Sequence, residues 1–236
     1  MNIKPLTKIE VIEKLKNVIA SNLETEKINL LQSENRILAE PIISKIPHPP
    51  FNNSAVDGYA LHNDDVKNND NKKISHRITA GDNNEVFLNP GEVARIFTGA
   101  KMPSNSDTVV MQENVEKNND YIKIIKYPKL GENCRLAGED IKKDSKILEA
   151  GQKITSRNIS LIAAIGKKFI NVKKKLQVGY FTSGNELFDP TENLLGSKIN
   201  NSNKYTLMSL LNQQYIDSNY LGVLKDSKEE ILKLFK

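Results

Sequence analysis

Residues 47–60 read PHPPFNNSAVDGYA, and the rest of the chain is understood through them. Pro47, Pro49 and Pro50 impose an extended backbone, because the ring fixes φ and disfavours helix in the residue before it. Asn52, Asn53 and Ser54 carry short polar side chains that bond to nearby backbone groups. Asp57-Gly58, set between Val56 and Tyr59, is a tight-turn signal. Read alone, the stretch is a β-hairpin turn with an exposed carboxylate. Its density makes it a candidate site as well, since rigid approach, polar turn, acid and aromatic all fall within fourteen residues.

Outward from this stretch, the region up to about Asp140 has the grammar of short strands. Val93–Phe97, Thr108–Met111 and Tyr121–Ile125 are strand candidates by β-branched content and length. Asn-rich segments at 68–71, 82–84 and Asn118-Asn119 mark loops. On the N-terminal side, Thr7 and Glu10 form a capping box. Ile9, Ile12, Leu15, Val18 and Ile19 follow it at helical spacing, predicting an amphipathic helix that ends before Glu24. On the C-terminal side, Thr155 starts a second helix through Ile159–Ile165, closed by Gly166. The helical pieces flanking the β-rich insert suggest that they pack together.

The last part changes character again. Leu176–Phe181 is a short apolar strand running into the turn Thr182-Ser183-Gly184. Asn203 is placed to cap a helix carrying Leu207, Met208, Leu210 and Leu211. Tyr220–Leu224 is a second buried strand. Ser227–Glu230 is a capping box before Ile231, Leu232, Leu234 and Phe235. The order β-α-β-α opens a parallel α/β sheet. Two strands cannot complete such a sheet, so a C-terminally truncated or partial product is expected. The fold class is therefore α+β and multidomain. A linking domain of helix and extended segments spans 1–44 with 142–175. A β-rich inserted domain spans 45–141, and the start of a parallel α/β domain spans 176–236.

At 236 residues, with 38% hydrophobic and 27% charged residues, the composition is that of a globular chain. No apolar run reaches the roughly 20 residues of a bilayer span, and the first residues lack the pattern of a secretory signal. One cysteine, Cys134, rules out a disulfide framework and a Cys-rich zinc site. The expected compartment is the cytoplasm, with no membrane partner. The net charge of +5 comes without an Arg-rich, aromatic-interleaved patch, so no nucleic-acid partner is expected.

The chemistry has few places to sit. In open α/β sheets ligands bind outside the carboxyl ends of the strands. Ser183-Gly184-Asn185-Glu186 ends the first strand and Lys225-Asp226 the second, so Glu186 and Asp226 share an edge if the strands are parallel neighbours. In the β-rich part, Arg95–Ala100 is a strand that turns at Gly99, where Thr98 lies beside backbone N–H groups able to hold an oxyanion. Arg135-Leu-Ala-Gly138-Glu139-Asp140 surrounds a glycine turn with a guanidinium and two carboxylates. Gln112 and Glu113 close a strand and are minor candidates. His48, His62 and His76 lack partners for a catalytic triad, and neither a P-loop nor a dinucleotide fingerprint is present.

Together these stretches resemble the molybdopterin molybdenumtransferases, the molybdenum-insertion family that includes the E domain of gephyrin. The family's patterns P-x-F-D-N-S-A-M-D-G-Y-A, R-I-x-T-G-A-x-x-P-x-G-A-D-A-V-V-x-Q-E, N-x-R-x-x-G-E-D, S-T-G-D-E-L and I-x-N-S-N stand here, in order, at Pro49–Ala60, Arg95–Glu113, Asn133–Asp140, Thr182–Leu187 and Ile199–Asn203. Asn52 replaces the family's Asp, Val56 its Met, and Asn185 an acid before Glu186. Ser104-Asn105-Ser106 is looser than the family's P-x-G-A. The family's S-G-G-V-S-x-G and P-G-K-P motifs and C-terminal β-barrel are absent from these 236 residues.

The resemblance implies a homodimer that takes adenylylated molybdopterin from molybdopterin adenylyltransferase, inserts molybdate and releases AMP and molybdenum cofactor. It implies catalytic roles for Asp57, Asp140, Glu186 and Asp226, and substrate binding by Thr98, Gly99, Arg135, Ser183 and Gly184. The substrates are all anionic, so an acidic cluster needs a counter-charge. Mg²⁺, held by Asp57 and Asp140, is the expected divalent cation, with Arg135 and the Thr98-Gly99 turn in direct anion contact. The alternative is a catalytically inactive scaffold or binding module, or an inactive fragment of the same fold. The 236-residue chain alone is not expected to turn over.

Overall fold

The structure is a computed structural model describing residues 5–18, 23–67, 71–190, 193–194 and 196–234. Its elements run in the order α1 (Lys8–Val18), β1 (Thr25–Asn29), β2 (Ile42–Ile43), β3 (Asn53–Ser54), β4 (Gly58–Leu61), β5 (Lys72–Ile78), β6 (Glu92–Ile96) and β7 (Thr108–Met111). There follow β8 (Val115–Asn118), β9 (Tyr121–Ile124), β10 (Cys134–Arg135), β11 (Lys146–Leu148), α2 (Ser156–Ala164) and β12 (Phe169–Lys173). The last are β13 (Leu176–Ser183), β14 (Leu187–Phe188), β15 (Ile199–Asn200), α3 (Ser202–Leu211), β16 (Ile216–Leu224) and α4 (Lys228–Leu234). They divide into two compact units, one of Met1–Pro41, Glu149–Ala163 and Lys167–Lys236, the other of Ile42–Leu148 and Ala164–Gly166.

The second unit is built on a six-stranded sheet of order β7-β4-β6-β5-β9-β8. Its pairs are antiparallel except β5–β6, which run parallel. Both faces of the central strands are buried, which is why they read as apolar runs rather than as alternation. Ala60, Ala94, Ile96 and Val109 pack on one face with Ile78. Tyr59, Leu61, Val93 and Val110 pack on the other, with Ile74 against them. Ile74 and Ile78 would share a face in an unbroken strand. A bulge separates them, since Ile74 pairs with Val93 and His76 with Ala94, leaving Ser75 as the extra residue.

In the first unit, β1 and β12 pair antiparallel from Thr25↔Lys173 to Asn29↔Phe169. Leu38, Ile154, Ile162 and Val172 are buried in this unit. Thr155 caps α2 as the sequence predicts, through reciprocal bonds with Asn158 at 2.8–3.3 Å. β13 and β16 are parallel neighbours, in register from Leu176↔Ile216 to Ser183↔Leu224 with an irregularity between Tyr180 and Thr182. The intervening chain carries α3, so the segment is a β-α-β unit as predicted.

Three local expectations change. Asn201, not Asn203, is the N-cap of α3, its side chain accepting from the Lys204 N–H at 3.2 Å. Asn203 lies one residue inside the helix, where its N–H needs a cap rather than supplies one. The Thr7–Glu10 box does start α1, yet residues 5–17 are all exposed, Ile9 at 70%. Capping and local propensity suffice to write that helix, and its described apolar residues Ile9, Ile12 and Leu15 are exposed. Finally, Asp57-Gly58 is not a hairpin turn: β3 pairs with β10, while β4 pairs with β6 and β7. Ile19, residues 68–70 of the Asn-rich segment and Phe235 lie outside the described residues.

Candidate functional site

In the β-rich unit the 47–57 stretch is stitched to two other loops. The Gly138 N–H donates to the Pro49 carbonyl at 2.9 Å, and the Ala137 N–H to Asn52 Oδ1 at 2.8 Å. On the other side, Ser54 N–H donates to the Ala100 carbonyl (3.0 Å) and Gly99 N–H returns a bond to the Ser54 carbonyl (2.8 Å). Gly138 and Gly99 both sit at positive φ, +77° and +81°, a conformation for which glycine is the default. The extended approach set by the prolines is thus held between two glycine turns.

Asp57 lies at the end of this stretch, half-buried. Its Oδ1 accepts both the Thr98 N–H (2.9 Å) and the Thr98 hydroxyl (2.8 Å). These bonds, the backbone one foremost, hold the carboxyl below its ordinary value; the Arg95 charge adds to the effect and burial opposes it. Asp57 is therefore a fixed anion at neutral pH, and its Oδ2 has no hydrogen-bond partner among the described residues. The expected oxyanion turn at Thr98-Gly99 takes a different form. The N–H groups of Thr98, Gly99 and Ala100 are bound to Asp57, Ser54 and Phe97, so the turn spends its donors on holding the loop.

Arg95 is the residue that sequence reading passed over. Its Nη1 donates to the Gly58 carbonyl at 2.9 Å and its Nη2 to Gln112 Oε1 at 2.5 Å. Its guanidinium lies over the Tyr59 and Phe97 rings at 5.1 and 4.6 Å. One side chain thereby ties β6 to residues of β4 and the end of β7, beside Asp57. The available signal was an arginine inside an otherwise apolar strand.

Arg135 donates from Nε to Glu139 Oε1 (2.5 Å) and from Nη2 to Asp140 Oδ2 (2.7 Å). The first bond holds the Glu139 carboxyl low, and the pair raises the arginine further. Asp140 is exposed, and this ion pair is its only side-chain bond among the described residues. Among the described residues no three His, Cys, Asp or Glu side chains gather as a metal site. Mg²⁺ retains several waters and takes only one or two carboxylates beside substrate phosphates. Asp57 Oδ2 fits that modest demand, and Asp140 fits it only by sharing its carboxylate with Arg135.

The remaining predicted residues lie in the first unit. Register carries the loops after β13 and β16 to the same sheet edge, so Ser183–Glu186 and Asp226 leave from one end. Ser183 and Glu186 line a cleft of about 470 Å³ together with Leu187, Ile199, Asn203 and Thr206. A Cβ on Gly184 would lie 2.8 Å from Glu186 Oε1, and its φ is +147°. The positive φ favours glycine there, while the Glu186 carboxylate, the end of a flexible side chain, folds back over the turn. Asp226 stands at the shared edge but not among the residues of the cleft.

A buried polar knot fixes this end. Asn201, 1% exposed, donates from Nδ2 to the Thr182 hydroxyl at 2.8 Å and to the Tyr220 hydroxyl at 3.3 Å. Thr182 and Tyr220 are themselves 2.8 Å apart. One asparagine thus caps α3 and clamps both parallel strands. Asn201→Ala should lower stability by about 1–2 kcal/mol, through the lost cap and the lost bonds to the Thr182 and Tyr220 hydroxyls, which keep each other as partners. Thermal unfolding checks this, and an unchanged midpoint would refute the clamp.

Fold and site together define an α+β chain with acidic loops in two separate units, built on neither a P-loop nor a dinucleotide fold. The family model described as the MoeA N-terminal region (domain I and II) matches residues 7–166, and the chain belongs to the MoeA family. A molybdopterin molybdenumtransferase of Haemophilus influenzae is 35% identical over 213 residues, which are 90% of this chain and 53% of the relative. One from a Nostoc species is 35% identical over 212 residues, 88% of this chain and 49% of the relative. The crystal structure of a molybdopterin biosynthesis moeA protein from Pyrococcus horikoshii superposes with a TM-score of 0.90 at 27% identity, covering 98% of this chain and 63% of that one. The chain spans about half the length of the curated relatives it matches.

Proposed function

We propose that this chain is part of a molybdenum-inserting transferase of molybdenum cofactor biosynthesis, acting on adenylylated molybdopterin and molybdate with release of AMP. The observation that carries the reading is the Asp57–Thr98 pair: an aspartate fixed as an anion, with one oxygen bound and the other without a partner among the described residues. Such an oxygen can take one position on a Mg²⁺ ion, and the ion would polarise a phosphoryl oxygen and offset substrate charge. Asp140 is its proposed second carboxylate. Arg135 is the proposed anion contact, while Thr98 and Gly99 shape the loop rather than touch the anion through backbone N–H groups.

Ser183, Gly184 and Glu186 are the proposed pterin-side residues, supported by the cleft that Ser183 and Glu186 line. Asp226 joins them at the same strand edge. The reading retains the three-domain division at 1–44 with 142–175, 45–141 and 176–236, the last as the opening of a larger parallel α/β domain. It also retains a homodimer, a molybdopterin adenylyltransferase upstream, and a cytoplasmic location. No helix among the described residues is long and apolar enough to cross a membrane.

The test uses the natural polypeptide that carries this sequence, incubated with adenylylated molybdopterin, molybdate and Mg²⁺. AMP release coupled to molybdenum-loaded pterin is the expected result. Tight binding of the adenylate with no molybdate-dependent AMP release would overturn the transferase reading.

A further inference from the structure

The arginine that sequence reading passed over does more than join strands, because its partners surround the peptide that carries Asp57. Arg95 stands opposite Tyr59 in the β4–β6 register. Its Nη1 donates at 2.9 Å to the Gly58 carbonyl, the next carbonyl after that of Asp57. Its Nη2 donates to Gln112 Oε1, and Gln112 in turn donates its backbone N–H to the Asp57 carbonyl at 3.1 Å. The two successive carbonyls, of Asp57 and Gly58, are thus held by two residues that are bonded to each other. Thr98, three positions after Arg95, holds the carboxylate through Oδ1. Asp57 Oδ2, the oxygen proposed to meet a cation, has no partner among the described residues. Its direction follows from how the backbone and Oδ1 are fixed.

We propose that Arg95 is a positioning residue for Asp57, fixing directly at Gly58 and through Gln112 the peptide from which Oδ2 is aimed. Arg95 is itself well anchored: its planar guanidinium lies over the Tyr59 and Phe97 rings, an arrangement that suits arginine and not lysine. Each of its terminal nitrogens already donates to the protein, so its action runs through Asp57 rather than through a ligand. A reacting group displaced by about 1 Å can lose on the order of 10²-fold in rate, and a brace at two adjacent carbonyls opposes that displacement. The consequence for catalysis rests on the molybdenum-insertion reading; the bracing of Asp57 does not.

An arginine that merely cemented the sheet would stabilise every strand alike, so the test compares amides site by site. Amide hydrogen exchange on the full chain, followed by NMR, reads local opening at each N–H. In Arg95→Gln the Thr98 and Gln112 amides, which bond Asp57, should exchange about tenfold or more faster relative to those of Val93 and Ile122, buried elsewhere in the sheet. Arg95→Lys, with one nitrogen in place of the fork, should fall between parent and Arg95→Gln. Gln112 is exposed, so Gln112→Ala serves if Arg95→Gln does not fold; it should also speed Thr98 exchange selectively. A rise shared equally by Val93 and Ile122, or no rise at Thr98 in any variant, would overturn the positioning role. Molybdate-dependent AMP release by the natural polypeptide is measured beside it. There Arg95→Gln should lower kcat about tenfold with KM for the adenylate nearly unchanged, because a misaimed carboxylate slows the reacting step. A loss confined to KM would make Arg95 a substrate contact instead and overturn the proposal. Absence of AMP release from the parent would remove the transferase reading, and the exchange rates would still decide whether Arg95 braces Asp57.

Discussion

Asp57→Ala in the natural polypeptide is expected to lower the proposed molybdenum-insertion activity by on the order of 10²-fold or more while the β-rich unit stays folded. The magnitude is that of deleting one preorganised electrostatic group from a reacting centre. Asp57→Asn should lose nearly as much, because the amide keeps an acceptor for Thr98 but neither the charge nor an anionic oxygen for a cation. The separation of charge from architecture is what makes the pair informative. Full activity of Asp57→Ala at limiting molybdate would sink the role given to this residue. The sign of the pH effect is also defined. The Asp57 carboxyl is held below its ordinary 3.8, so its stabilising bonds to Thr98 are fully present above that pH. They are lost as pH falls through the lower folded value. Unfolding curves of the parent chain and Asp57→Ala should therefore differ at neutral pH and converge below pH 3.8.

Gly58→Ala is expected to unfold the β-rich unit or lower its midpoint by on the order of 10 °C or more. The reason is backbone proximity rather than conformation. A Cβ on Gly58 would stand 2.1 Å from the Val110 carbonyl oxygen and 3.0 Å from Val109 Cγ1. Both belong to β7, which pairs with β4 along Gly58↔Met111 to Leu61↔Thr108. Neither neighbour can move alone, because Val109 and Val110 face the two opposite cores. Overpacking a core side chain costs about 1–3 kcal/mol, and a clash with paired backbone exceeds that range. Circular dichroism melts check it, with Gly91→Ala as reference. At Gly91 a Cβ would meet nothing within 4 Å, though its φ of +80° brings a modest strain. Equal midpoints for the two variants would contradict the close approach.

These two neighbours show how differently adjacent residues can be read. Asp57 and Gly58 form a turn signal in sequence, and the turn is absent from the fold. The glycine serves a β4–β7 contact with residues some fifty positions later, information that a local dipeptide does not carry. Asp57 was legible as a candidate because polar and rigid residues crowd around it. Its partner Thr98, 41 residues away, became visible only as a separate motif, and their bond is a product of pairing between β4 and β6. Arg95 stayed hidden for the same reason. Its significance lies in Gly58, Gln112, Tyr59 and Phe97 meeting around one guanidinium.

Periodicity and composition alone established the amphipathic α1, the cap of α2 at Thr155, the strand at Thr108–Met111 and the β-α-β order after Leu176. Each of these depends on residues within a few positions of one another, where propensity, capping and side-chain alternation act. The ordered motifs also sufficed to place the chain in its family. Three features came only with the fold: the exposure of the α1 stripe, the commitment of the Thr98-Gly99 N–H groups to the protein's own carbonyls and carboxylate, and the Ser75 bulge that turns Ile74 and Ile78 to opposite faces of the sheet. All three are questions of what lies opposite a residue across a sheet or beside a helix. Register and burial answer them, and both are set by contacts between segments far apart in the chain.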